Sequence, residues 1–214
     1  MEELPDDADH WGTDMKTVFT IGHSNHTIEH FLSLLTVHNI SAIADVRSSP
    51  YSEYSPQFNR EAMQQKLRDA NIEYVFLGRE LGARRTEEGC YVNSRARYDA
   101  IRNLPAFRNG LDRVLQEIER HTVSLLCSEA DPLACHRTIL VCPELKVLSP
   151  DIKIVHILGD GSLESHEQAE QRLIRLHKLQ PELFGELNST GGLIVRAYCL
   201  QAERIAYKKA AVEV

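Results

Sequence analysis

The chain has 214 residues, 43% hydrophobic and 26% charged, with a formal net charge of -7. That length gives one medium domain whose core needs no staples, and the acidic balance disfavours broad nucleic-acid binding, which is mostly phosphate electrostatics. No apolar run approaches the roughly 20 residues that span a bilayer, and an odd set of irregularly spaced cysteines (Cys90, Cys127, Cys135, Cys142 and Cys199) suggests no disulfide framework, so a cytoplasmic, reducing setting is expected.

Met1 to Met15 is acidic and polar and reads as a flexible leader. Thr17 to Ile21 is a short apolar run stopped by Gly22, a strand. Thr27 can cap the helix that follows, with Ile28, Phe31, Leu32 and Leu35 at helical spacing and Asn39 at its end. Ser41 to Val46 is a second strand. Asn59 starts a helix with Met63, Leu67 and Ala70 on one face and Asn71 at its end. Ile72 to Leu77 is a third strand, and Gly78 to Arg97, with glycines and charges but no period, reads as a long loop. Pro105 opens a helix that turns Phe107, Leu111, Val114, Leu115 and Ile118 inward. Thr122 to Cys127 is a fourth strand, a short helix follows from about Cys135, and Ile152 to Leu158 is a fifth strand. Glu164 to Leu179 and Leu193 to Ala206 read as helices, and Cys142 and Cys199 as core residues within helices.

Strands that are apolar throughout and separated by helices indicate a parallel sheet covered on both faces. The expected fold is α/β: a three-layer α/β/α domain over residues 16–161 with a mainly parallel five-stranded sheet, extended by helices over 162–214.

Residues that carry chemistry collect behind these strands. His23 and Ser24 follow the first, Asp45-Val-Arg47 ends the second, Arg84 and Tyr91 lie past the third, and the fourth ends in Cys127-Ser-Glu129 and runs on to Cys135-His-Arg137. In a parallel sheet all these ends face one rim, where open α/β sheets bind ligands. Glu129, Cys135, His136 and Cys127 are the expected catalytic set: a carboxylate for acid–base work, thiols open to activation, and an imidazole that can move protons near neutrality. His23, Ser24, Asp45, Arg47, Arg137, Arg84 and Tyr91 are the expected substrate contacts, the arginines suiting an anion. Each has a structural alternative. Cys127 can be packing, Asp45 and Arg47 a structural ion pair, His136 a cap, and Tyr91 an anchor for its loop.

The ordered motifs Thr20-Ile-Gly-His-Ser24, Asp45-Val-Arg47, Pro56-Gln-Phe-Asn59, Leu81-Gly82, Cys127-Ser-Glu129 and Cys135-His-Arg137 resemble the family called domain of unknown function 488, over about residues 17–161. The resemblance implies an α/β fold with a site carried by these motifs, and supplies no reaction. The leading expectation is an enzyme, a hydrolase or transferase, acting on a phosphate-bearing small molecule, a nucleotide or a nucleic-acid end. The alternatives are a metal site formed by Cys127, Glu129, Cys135 and His136, or a binding module without catalysis. No cofactor and no membrane partner is expected. Assembly with further copies of the chain stays open.

Overall fold

A computed structural model describes residues 16–181 and 189–210. The expected leader, Met1 to Met15, lies outside the described residues.

The chain alternates strand and helix. Strand β1 (Thr17–Gly22) leads to helix α1 (Ile28–Val37), β2 (Ala42–Asp45), α2 (Arg60–Asp69) and β3 (Glu73–Phe76). Then come α3 (Gly78–Leu81), the two-residue strands β4 (Tyr91–Val92) and β5 (Arg95–Ala96), α4 (Tyr98–Ile101) and α5 (Pro105–Glu117). Strand β6 (Val123–Cys127), α6 (Cys142–Leu148), β7 (Lys153–Ile157), β8 (Leu163–Ser165), α7 (His166–Leu176) and α8 (Thr190–Ile205) complete it.

The helix ends follow local chemistry. The Thr27 hydroxyl accepts the His30 amide at 3.2 Å and caps α1. Asn39 and Asn71, just past α1 and α2, sit at φ 53° and 59°, the left-handed turn that asparagine tolerates and that stops a helix. Pro143 has no amide to offer the Ile139 carbonyl, so the turn before α6 is widened over Arg137–Val141.

The central sheet has six strands in the order β3-β2-β6-β1-β7-β8. All neighbours are parallel except β7 and β8. The five expected strands are therefore present, and a sixth joins them. Leu163–Ser165 pairs antiparallel with β7 where the sequence predicts the first turn of a helix; three residues are too few to show a period. That helix starts instead at His166, behind a capping box formed by Ser165 and Gln168. The segment 78–97 is also more ordered than a bare loop, holding α3, a 3-10 turn at Glu88–Cys90 and the β4-β5 hairpin.

Strand residues alternate between two cores. Ile21, Ile43, Leu126 and Ile157 pack under Phe31, Leu35, Met63 and Leu67 of α1 and α2. Val18, Ala44, Leu125 and Ile154 face Phe107, Val114, Leu145, Leu173 and Ala197 on the other side. Helices thus cover both faces, as a fully buried parallel sheet requires. Cys142 is buried as expected, but Cys199 is exposed, because α8 turns Leu193, Ala197 and Gln201 inward instead. Among the described residues no helix is long and apolar enough to cross a membrane.

The topology marks one crevice. Strand β2 continues outward to β3, whereas β6, its neighbour, continues across β1 to β7. Adjacent strands whose connections leave in opposite directions open a gap at their carboxyl ends, the place where α/β sheets bind ligands.

Candidate functional site

The gap between the ends of β2 and β6 holds a cavity of about 210 Å³. Arg47, Ser48 and Ser49 line it from β2, and Cys127, Ser128 and Glu129 from β6. Cys135 and His136 close the floor, while Ala83, Arg84, Tyr98, Ile205 and Tyr207 form the remaining wall.

The β6 side is held by Arg137, whose side chain is fully buried. Its guanidinium donates to the Glu129 carbonyl at 2.7 Å and the Ala130 carbonyl at 3.4 Å, and its Nε to the Thr20 hydroxyl at 3.3 Å. These donors are spent on two backbone carbonyls and one hydroxyl of the protein itself, and Arg137 does not line the cavity. It shapes the loop from inside instead of offering a fork to a ligand. Gly22 lies against the same loop: a Cβ there would come within 1.8 Å of the Glu129 carbonyl oxygen. Only glycine lets β1 approach that closely.

Beyond Thr20 a row of buried groups continues. The Thr20 hydroxyl meets His156 Nδ1 at 2.8 Å, and His156 Nε2 meets His166 Nδ1 at 3.1 Å. His166 Nε2 then meets the Tyr198 hydroxyl at 3.0 Å, which donates to the Glu170 carboxylate at 3.0 Å. The direction is set from the carboxylate end: Tyr198 gives its hydrogen to Glu170 and so accepts from His166 Nε2, and with neutral rings His166 Nδ1 accepts from His156 and His156 Nδ1 from Thr20. Burial, then the His166 and Arg137 charges, hold His156 down at about 2, and burial holds His166 at about 4. Both rings are therefore neutral near pH 7.

The β2 side is held by Asp45 and Arg47, both buried. The Asp45 carboxylate accepts from the Arg47 amide at 3.0 Å, from its Nε at 2.9 Å and Nη2 at 2.6 Å, and from the Tyr74 hydroxyl at 2.7 Å. Arg47 Nη1 donates to the Phe58 carbonyl at 2.9 Å. A bidentate pair with every lone pair occupied is a structural clamp. It fixes the turn so that the Val46 carbonyl accepts from His136 Nε2 at 3.0 Å. In the neutral ring, Nδ1 then carries no hydrogen and faces the two thiols, 3.6 Å from Cys127 Sγ and 4.0 Å from Cys135 Sγ.

Adjacent cysteine and histidine side chains would diverge on a helix. Here Cys135 is extended, at φ -129° and ψ 141°, and helical angles begin only at His136. The Asp131 carboxylate accepts the Leu133 amide at 3.0 Å, turning the loop through Pro132–Ala134 and delivering Cys135 beside Cys127. The Arg137 amide donates to Cys135 Sγ at 3.4 Å. Burial opposes ionisation of Cys135, but the Cys127 thiol hydrogen bond, the Arg137 charge and His136 outweigh it, and the Cys135 thiol is held well below its ordinary range. Cys127 is pushed well up, first by giving its hydrogen to Cys135 and then by burial. Cys142, deeper in the core, is pushed up by burial.

Thus Cys127, Glu129, Cys135, His136, Arg47 and Arg84 meet around one cavity. The Glu129 carboxylate has no hydrogen-bond partner among the described residues and is exposed at the mouth. Arg84 has no carboxylate partner among them and lies over the Tyr207 ring at 4.8 Å. His23, Ser24, Asp45, Arg137 and Tyr91 stand outside the lining. His23 is buried against Phe58 with ring centroids 4.5 Å apart, and burial lowers it to about 4. Ser24 turns the chain at φ 46°. The Tyr91 hydroxyl exchanges hydrogen bonds with the Arg85 backbone, pinning the 78–97 segment.

A family model described as domain of unknown function DUF488 matches residues 27–142. The chain belongs to that family. The DUF488 segment supplies every residue of the cavity except Ile205 and Tyr207, and its partners β1 and β7 lie outside the match. No curated protein and no solved structure matches the chain.

Tyr98, which the sequence offers with Tyr91 as an aromatic that could stack on a base or sugar, lines the cavity, and Ser48, Ser49, Ser128 and Tyr207 join it without having been expected there. Ser48, Ser49 and Ser128 flank motifs that were read, so proximity was the available signal. Tyr207 had none, since it reaches the cavity only because the chain past α8 returns to β5, where Ala96 donates to the Tyr207 carbonyl at 2.9 Å.

Proposed function

We propose that this DUF488 protein is an enzyme acting on a small anionic substrate, phosphate-bearing or nucleotide-like, by hydrolysis or group transfer. The observation that carries the reading is the convergence of an uncommitted carboxylate, Glu129, an uncommitted guanidinium, Arg84, and the Cys127, Cys135 and His136 cluster on one cavity at the topological switch point. Arg84 holds the anion, the Ser48 and Ser49 segment lies beside it, and Glu129 moves the proton. Tyr98, buried against the thiols, gives an aromatic wall for a planar group. Arg47 and Arg137 build the cavity and leave recognition to Arg84.

Calorimetric titration with inorganic phosphate, a 5′-mononucleotide and its neutral nucleoside tests this. The two anions bind, the nucleoside binds at least tenfold more weakly, and Arg84→Ala removes that preference, as expected for a lost charge-assisted contact worth about 1.5–3 kcal/mol. Glu129→Gln keeps binding and loses turnover of the bound nucleotide followed by mass spectrometry. Equal affinity for nucleoside and nucleotide, or undiminished turnover by Glu129→Gln, overturns the reading.

A further inference from the structure

The floor of the cavity has a geometry that acid–base chemistry does not require. The two sulfurs and one imidazole nitrogen of Cys127, Cys135 and His136 all lie within 4.8 Å of one another, with Nδ1 at 3.6 and 4.0 Å from the sulfurs. For a tetrahedral zinc with Zn–S near 2.3 Å and Zn–N near 2.05 Å, the sulfur–nitrogen edge is about 3.6 Å. The Cys127 edge matches this and the Cys135 edge exceeds it by about 0.4 Å, so a small inward movement of one side chain would bring the three donors onto one ion.

Four independent details agree. The nitrogen that faces the sulfurs is the one without hydrogen, because Nε2 is committed to the Val46 carbonyl, the outer contact that orients a ligating histidine. The Arg137 amide points at Cys135 Sγ, and its buried guanidinium lies nearby, so a second anionic sulfur finds positive charge already in place. All three donors also line the cavity, which leaves the fourth corner facing solvent and substrate. Finally, the buried clamp of Asp45 and Arg47 fixes the turn that holds His136, a rigid frame for a first shell.

We infer that Cys127, Cys135 and His136 form a transition-metal site of the zinc class, with the fourth position open to the cavity. Two thiolates and one imidazole select a borderline-soft divalent ion over magnesium or calcium, which take oxygen. Three protein ligands and one free position is the arrangement of a catalytic rather than a structural zinc site. Glu129 is outside the ligand set: its carboxylate stands at the mouth, placed to take a proton from a water in the open position. This deepens the proposed function and rests on it only for the role of Glu129; the metal site stands on its own geometry.

The full chain, purified under reductant and dialysed against buffered zinc, is assayed by elemental analysis. Cobalt(II) is then added to metal-stripped protein and followed by absorption. About one equivalent of zinc is expected, with cobalt giving a tetrahedral spectrum and a sulfur-to-cobalt charge-transfer band. Cys127→Ser and Cys135→Ser lose at least nine-tenths of the bound metal, and His136→Ala weakens binding more than tenfold. Cys199→Ser, on the exposed face of α8, keeps one equivalent, and circular dichroism verifies that each variant is folded. Glu129→Gln keeps its metal. Folded protein that takes up less than a tenth of an equivalent and gives no charge-transfer band, with both thiols freely alkylated, overturns the site, as does loss of metal from Glu129→Gln. Metal bound at one equivalent without any preference for anions leaves the site standing and removes the substrate reading instead.

Discussion

Single atoms decide much of this site. The distance from a Gly22 Cβ to the Glu129 carbonyl oxygen, 1.8 Å, admits no side chain. Either β1 shifts or the loop carrying Glu129 and leading to Cys135 is pushed outward. Gly22→Ala is expected to cost at least about 2 kcal/mol by overpacking against backbone, which cannot rotate away. Urea unfolding would show it, and the Cys135 alkylation rate should change as well; a variant with the midpoint and thiol reactivity of the parent would remove this account. At the same scale, charge and role separate. Arg47 and Arg137 are buried with every guanidinium nitrogen bonded within the protein, whereas Arg84 is exposed and has no carboxylate partner among the described residues, which makes it the most accessible of the three. Sequence could list all three arginines but could not rank them, because two of the three partners of Arg137 are backbone carbonyls, which every residue carries.

Elements tell the same story one level up. The strands, and the helices before them, were legible because each carries its own signal: apolar runs, a Thr27 cap, asparagines after α1 and α2. The rim followed from topology alone, since parallel strands must end on one side. The sixth strand and the β4-β5 hairpin were not legible, being too short for any period and held by partners distant in sequence. The approach of Cys135 to His136 was hidden for a related reason. It depends on one extended residue between a 3-10 turn and a widened helical turn, and neighbours in sequence say nothing about that angle. The described chain beyond α8 is the least legible part, and it contributes one wall of the site through Tyr207. Tyr207 lies under the Arg84 guanidinium and is tied to β5 through Ala96. Removing that ring by Tyr207→Ala is expected to weaken mononucleotide binding about two- to fivefold, from a cation–π contact of about 0.5–1 kcal/mol that holds Arg84 in place. Titration calorimetry checks it, and unchanged affinity would free Arg84 from any need of the tail.

Across the whole molecule, the family match and the fold do not coincide. The match runs from 27 to 142, yet β1 lies between β6 and β7 in the middle of the sheet. The two residues that follow it hold the loop, since the His23 amide donates to the Cys127 carbonyl at 3.0 Å and the Ser24 amide to the Ser128 carbonyl at 2.8 Å. Stability should carry the mark of the buried histidines. His23 and His166 are held at about 4 and His156 at about 2, chiefly by burial, whereas an unfolded chain takes its protons near 6.5. The unfolded state therefore binds more protons over this window, so stability is complete above about pH 6.5 and falls as the pH drops towards 4. The expected loss is on the order of 1–3 kcal/mol for each of the most buried groups. Urea midpoints that fall steadily between pH 7 and 4.5 would bear this out, and a flat profile would mean that these rings are solvated.

The row from Arg137 through Thr20, His156, His166 and Tyr198 to Glu170 has a head and a tail. Its head never releases a hydrogen, so nothing can travel along it; it is a latch, not a conduit. Turning either imidazole round would require turning the other and would take the Tyr198 hydrogen away from Glu170. Nitrogen-15 spectra should accordingly find both imidazoles frozen in the Nε2–H tautomer at neutral pH. The reverse tautomer at either ring would mean that α7 and α8 carry no information about the orientation of the arginine at the other end.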